Sequence, residues 1–315
     1  MKHSLIKKLQ QNGGIIIKPN SILENWFLLR FAKAANRYHQ KVKLIDNDIF
    51  IGSLNSNNDY TGIKYGEYKY IDLNLYMKNS PCVNKVASFF INIVNANNPS
   101  KTNIVESHCD STNTTNKYER FLEETPPYKS EISDAIVDML ENAKESITIV
   151  QSYYMNIPKI EEILIRAIKR GVKVEIITAQ KRDQLSYRYF LNEILFEKLL
   201  KEGASVYEFL DKSFHMKAYY VDNKILNMGS FNNDITSFYC NNEANYLIHR
   251  NKHNSYLFKQ ISSEIAKLKS NSRLIVYDPR YRAPILNRYI FSFLTFGLWL
   301  MGNKLNNKST TTNII

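Results

Sequence analysis

The chain has 315 residues, 44% hydrophobic and 23% charged. That composition excludes a disordered or low-complexity protein and leaves room for two domains or one large one. A net charge of +12 gives a surface that attracts polyanions, whether anionic membranes, nucleic acid or phosphorylated substrates, without choosing among them. The three cysteines, Cys82, Cys109 and Cys240, form no Cys-x-x-Cys pair, which argues against a structural zinc site and fits a reducing compartment.

Residues 4–11 have helical apolar spacing at Leu5, Ile6 and Leu9, closed by Gly13 and Gly14. The basic start lacks the apolar run and small-residue cleavage site of a secretory signal. GIIIKP, 14–19, reads as a short apolar strand, and 21–38 as loop and short helix. YIDLNLYM, 70–77, alternates like a strand, and 82–95 suits a helix with Val83, Val86, Phe89, Phe90 and Ile93 on one side. The polar, Asn/Ser/Thr-rich stretch 95–128 ends in Pro126 and Pro127 and reads as linker or long loop.

From 129 the pattern is β/α. A helix with Ile132, Ile136, Met139 and Leu140 on one face precedes the strand SITIVQSYY. An amphipathic helix, 157–170, ends at Gly171, and VKVEIIT follows as a strand. A helix over 184–202 ends at Gly203, and ASVYEFL and NEANYLIH are further strands. Helices alternating with buried strands imply a mixed α/β sheet covered on both faces. The expected division is 1–95, a linker at 96–128, 129–270, and a basic, apolar tail at 271–315. In that tail Tyr289 to Met301 is an uncharged run of 13 residues, short for a spanning helix; an interfacial helix and a buried core helix both fit it.

Two stretches carry the chemistry. HMKAYYVDNKILNMGSFN contains His215-x-Lys217-x4-Asp222, then Gly229-Ser230-x-Asn232. HQKVKLIDNDIFIGSLN contains His39-x-Lys41-x4-Asp46, then Gly52-Ser53-x-Asn55. These residue types handle a phosphate: histidine attacks or protonates, lysine neutralises charge, aspartate orients a histidine, and Ser and Asn donate hydrogen bonds. Two such patterns with matching order make coincidence improbable. The run of helix, Gly, strand and His-x-Lys-x4-Asp recurs at 4–46 and 187–222, so the halves read as copies whose sites face each other across a pseudo-twofold. The remaining histidines, His3, His108, His249 and His253, form no metal-ligand set.

This pair of patterns resembles the phospholipase D superfamily over about residues 5–250, and within it the cardiolipin synthase type of phosphatidyltransferase. Softer matches around Asp59-Tyr60, Tyr65-Gly66, Asp72 and Asn242-Glu243 carry that second step. The resemblance implies two pseudo-symmetric α/β units, each a mixed sheet flanked by helices. Family members carry a strand-helix-strand segment ahead of the point where this chain begins, so the N-terminal unit is expected to be shortened. It further implies that His39 attacks a phosphodiester phosphorus to form a phosphohistidine while His215 serves as acid and base. Lys41, Lys217, Ser53, Ser230, Asn55 and Asn232 would hold the phosphoryl oxygens. Asp46 and Asp222 are carried over with the pattern, and acids such as these or Glu243 orient the histidines. Neither metal nor other cofactor is required. The expected substrate is an anionic, phosphatidylglycerol-like phospholipid at a membrane surface, bacterial cytoplasmic or, in a eukaryote, internal such as mitochondrial. Two alternatives stand beside it: a nucleic-acid phosphodiesterase, and a truncated, non-catalytic lipid-binding remnant.

Overall fold

The computed structural model describes residues 7–8, 11–13, 38–55, 70–96, 117–126, 128–179, 196–210 and 214–277. The strand expected at 14–19, the matches at Asp59-Tyr60 and Tyr65-Gly66, and the tail run lie outside them. In chain order come β1 (Val42–Ile45), β2 (Asp48–Gly52), β3 (Asn74–Met77) and α1 (Val83–Ala96). Then follow β4 (Glu119–Thr125), β5 (Lys129–Ser130), α2 (Glu131–Glu141), β6 (Ser146–Gln151), α3 (Pro158–Lys169) and β7 (Lys173–Ala179). The last group is β8 (Ser205–Phe209), β9 (Lys217–Val221), β10 (Ile225–Gly229), α4 (Ile235–Tyr239), β11 (Glu243–His249), α5 (Ser255–Ser270) and β12 (Ser272–Ile275).

The architecture is mixed α/β. Nine strands form one sheet in the order β12-β8-β7-β6-β9-β10-β11-β4-β5, and β1-β2-β3 form a smaller antiparallel sheet. Among the described strands only β6, β7 and β8 run parallel, and a parallel step needs a crossover, which α3 supplies between β6 and β7. Pro158 opens α3 at a position where its missing N–H costs nothing, and Gly171 at φ +88° ends it.

Central strands are buried on both faces because side chains alternate. Ile147 and Ile149 of β6, with Tyr219 and Val221 of β9, pack under α2 and α3. Val150, Ala218, Tyr220, Met228 and Tyr246 face a second core that holds α1, α5 and the small sheet. Ile49 and Ile51 of β2 are fully buried there, and β2 packs on β10 and β11. Burying such side chains stabilises by about 1.5–3 kcal/mol each, and here it fixes the two hairpins against each other.

One expectation is corrected. The stretch 95–128 is not all linker: ERFLEET forms β4, paired antiparallel with β11 from Glu243↔Glu124 to Ile248↔Glu119. Phe121 and Leu122 enter opposite cores. Its polarity is misleading because Glu124, though buried, accepts from the N–H groups of Ile132 (3.1 Å) and Ser133 (3.0 Å) at the start of α2. Burial pushes the Glu124 carboxyl up to about 7.

Candidate active site

Each histidine stretch folds as an antiparallel hairpin, β1–β2 and β9–β10. The histidine precedes the first strand and the Gly-Ser pair ends the second. The hairpins pass their ends to each other's neighbours in matched fashion. His39 N–H donates to Asn242 O (2.9 Å) and His215 N–H to Ile71 O (2.8 Å). Ser53 N–H donates to Leu73 O, and Ser230 N–H to Ala244 O. At both serines the segment beyond carries the acid one residue before that carbonyl: Asp72, just ahead of β3, and Glu243, the first residue of β11.

Close approach explains the glycines. A Cβ at Gly229 would sit 2.3 Å from Ala244 O, and one at Gly52 2.5 Å from Leu73 O. Only glycine lets the hairpin end lie on the acid-bearing segment.

The histidines are held from opposite halves. His39 Nδ1 lies 2.8 Å from Oε2 and 2.9 Å from Oε1 of Glu243, whose side chain is 0% exposed. His215 Nδ1 lies 2.9 Å from Ser53 O and 3.4 Å from Asp72 Oδ2. A carbonyl only accepts, so Nδ1 of His215 donates, and a neutral ring presents the lone pair of Nε2. The carboxylate of Glu243 imposes the same tautomer on His39.

The lysines repeat one contact: Lys41 Nζ donates to His39 O and Lys217 Nζ to His215 O, both at 2.7 Å. Burial lowers Lys217 to about 7, with Asp72 pulling it up and Lys41 pushing it down. Burial lowers Lys41 to about 8, against the pull of Glu243 and Asp72. Desolvation also lowers His215, partly offset by the nearby Asp72 carboxylate. The two lysines therefore feel both carboxylates, which makes the two halves one electrostatic unit.

Four expected residues sit differently from the reading of their pattern. Asp46 and Asp222 occupy the hairpin turns at φ +52° and +53°, roughly 20 Å along the strand from their histidines at about 3.3 Å per residue. Asp46 is exposed. Asp222 accepts from the N–H groups of Lys144 (2.9 Å), Glu145 (2.7 Å) and Ser146 (2.8 Å), so it fastens the turn to the start of β6. Those bonds hold its carboxyl below the usual range against desolvation. Ser53 and Ser230 do not aim their hydroxyls at a phosphate site. Ser53 Oγ donates to Asp72 and Ser230 Oγ to Glu243 Oε2 (2.5 Å), and a hydroxyl has one proton to give.

Asn55 lines a cleft of about 570 Å³ with Tyr38, His39, Lys41, Lys43 and Phe50. Asn232 is buried, and its Oδ1 has no hydrogen-bond partner among the described residues. Tyr70 and Tyr153 stand edge-on to His215, with ring centroids at 6.1 and 6.5 Å. Asp72, which holds His215, was not assigned a role from sequence; its only signal there was a match in the strand YIDLNLYM. Among the described residues no cluster of three or more His, Cys, Asp or Glu side chains could hold a metal ion.

Comparison with known proteins agrees with this geometry. Residues 136–268 match the family described as "Cardiolipin synthase, PLD-like domain". The cardiolipin synthase of Oceanobacillus iheyensis is 24% identical over 286 residues, 89% of this chain and 57% of that protein. That of Halalkalibacterium halodurans is 27% identical over 259 residues, 80% of this chain and 50% of that protein. The chain thus spans about half the length of the curated relatives it matches. Among solved structures, phosphatidylserine synthase of Haemophilus influenzae superposes with a TM-score of 0.60 at 14% identity, covering 84% of this chain and 70% of that one.

Proposed function

We propose that the chain is a member of the phospholipase D superfamily and a cardiolipin synthase-like phosphatidyltransferase. It cleaves a phosphodiester of an anionic phospholipid at a membrane surface. The observation that supports this reading is the crossed pair: Nδ1 of each histidine is held from the other half, His39 by the Glu243 carboxylate and His215 by Ser53 O with Asp72 close by, and a buried lysine stands behind each.

Nε2 of His39 attacks phosphorus. The bond to the leaving alcohol breaks as His215, entering as the doubly protonated ring, gives that alcohol its Nε2 proton. Glu243 offsets the charge on the phosphorylated imidazolium of His39. His215, now neutral, takes the proton of an incoming alcohol, whose oxygen displaces His39 from phosphorus. With a lipid hydroxyl as acceptor the outcome is transfer, and with water it is hydrolysis. His39 suits the nucleophile's part because the cleft opens on it and its side chain is 27% exposed, against 9% for His215. Lys41 and Lys217 stabilise the non-bridging oxygens, joined by the carboxamides of Asn55 and Asn232.

No helix among the described residues is long and apolar enough to cross a membrane. The net charge of +12 supports binding to an anionic surface. The test is incubation of purified protein with phosphatidylglycerol vesicles. Cardiolipin or phosphatidic acid should form, and His215→Ala should abolish both. Absence of both products with the unaltered protein sinks the proposal, and cleavage of single-stranded DNA instead would move the substrate class to nucleic acid.

A further inference from the structure

Glu243 is buried under more donors than its histidine requires. Oε2 accepts from Ser230 Oγ, and Oε1 accepts from Ser237 Oγ (2.7 Å) and Asn241 Nδ2 (3.4 Å). Ser230 belongs to the Gly-Ser-x-Asn pattern, whereas Ser237 lies outside both patterns. It sits in the five-residue α4, wholly buried. Asp234 caps that turn by accepting from Ser237 N–H (2.8 Å) and Thr236 Oγ1 (2.7 Å). The Ser237 hydroxyl also accepts from Asn232 N–H at 3.2 Å. One hydroxyl therefore joins the end of the second histidine stretch to the acid that holds the histidine of the first.

We propose that Ser237 is a positioning residue that acts on His39 through Glu243. A serine hydroxyl has one proton, and Asn232 N–H occupies one of its lone pairs, so the proton is directed to Oε1. With Ser230 on Oε2, the carboxylate is gripped at both oxygens and cannot rotate away from the imidazole. The proposal rests on the reading of His39 as a reacting group, but its structural half can be tested without turnover.

The experiment compares the full chain with Ser237→Ala and Ser237→Cys. One arm reads the Nδ1–H proton resonance of the His39 imidazole by nitrogen-15 edited NMR, assigned by its absence in His39→Asn. The other reads the pH profile of kcat/KM on a chromogenic phosphodiester. In Ser237→Ala the resonance should move, because the partner carboxylate has lost a donor. The acid limb of the profile should move up by about 1 pH unit, the equivalent of one hydrogen bond to a charged group. Ser237→Cys, a near-isosteric but weak donor, should lie between the two and covers the case in which Ser237→Ala fails to fold. An unmoved resonance in a folded variant, or a rate lowered equally at every pH, overturns the proposal. An unaltered protein that shows the resonance and no turnover would instead count against the function.

Discussion

His39 and Glu243 are 204 positions apart in the chain, yet Nδ1 of one lies 2.8 Å from Oε2 of the other. His215 has no such direct carboxylate bond: its Nδ1 is satisfied by Ser53 O at 2.9 Å, and Asp72 stands off at 3.4 Å. The two acids therefore should not be equivalent under mutation.

Glu243→Gln removes the charge bonded to the His39 ring and should lower kcat by about a hundredfold. Asp72→Asn leaves Ser53 O to hold the His215 tautomer, so its loss should be several-fold smaller. Steady-state rates of the two variants, on protein with unchanged circular dichroism, check the order. Equal losses would contradict it.

Lys217 is 1% exposed and lowered to about 7. A lysine whose folded value lies below its unfolded one binds fewer protons when folded. Stability should therefore rise as pH climbs from about 7 towards the unfolded lysine value, and the penalty should be complete below about 7. Lys217→Met removes that penalty. It should be inactive and more stable by about 1–4 kcal/mol at neutral pH, with a flatter pH dependence of Tm.

Asp222 should matter to stability and little to chemistry. Asp222→Asn keeps a residue that tolerates φ +53° but weakens three bonds from backbone N–H groups. Denaturant titration should show a loss of about 1–3 kcal/mol, with kcat of the folded fraction near that of the unaltered protein. Because its folded value is depressed, this contribution is present above the ordinary aspartate range. It is lost as pH falls through the folded value, where variant and parent should converge.

Gly229→Ala places a methyl 2.3 Å from both Ala244 O and Asn245 Oδ1. Backbone cannot yield there without moving Glu243, so the variant should lose at least about 2 kcal/mol and activity together. Thermal unfolding and rate measurements on one preparation check both.

Much of the second half was legible, because its strands are apolar on both faces and its helices have clear stops at Gly171 and Gly203. The histidine and lysine pairs were legible because repetition made the spacing specific. What escaped was non-local. β4 was hidden by its glutamates, one of which is buried only because α2 begins beside it. Asp72 carries no local signature, and its role arises from His215, which lies across the site. At Asp222 what escaped was the partner set: the N–H groups of Lys144, Glu145 and Ser146 that it fastens lie at the start of β6, more than 70 positions earlier. The serines were misassigned for a related reason: the carboxylates that take their protons come from segments paired after folding.

The most direct test of the central claim is mass spectrometry of acid-labile phosphorylated histidine after rapid quench with a phosphodiester that has an activated leaving group. The adduct should map to His39 in the unaltered protein, persist in His215→Ala, where the activated leaving group needs no proton, and vanish in His39→Ala. An adduct on His215 that survives His39→Ala, or turnover with no adduct at all, would contradict the account.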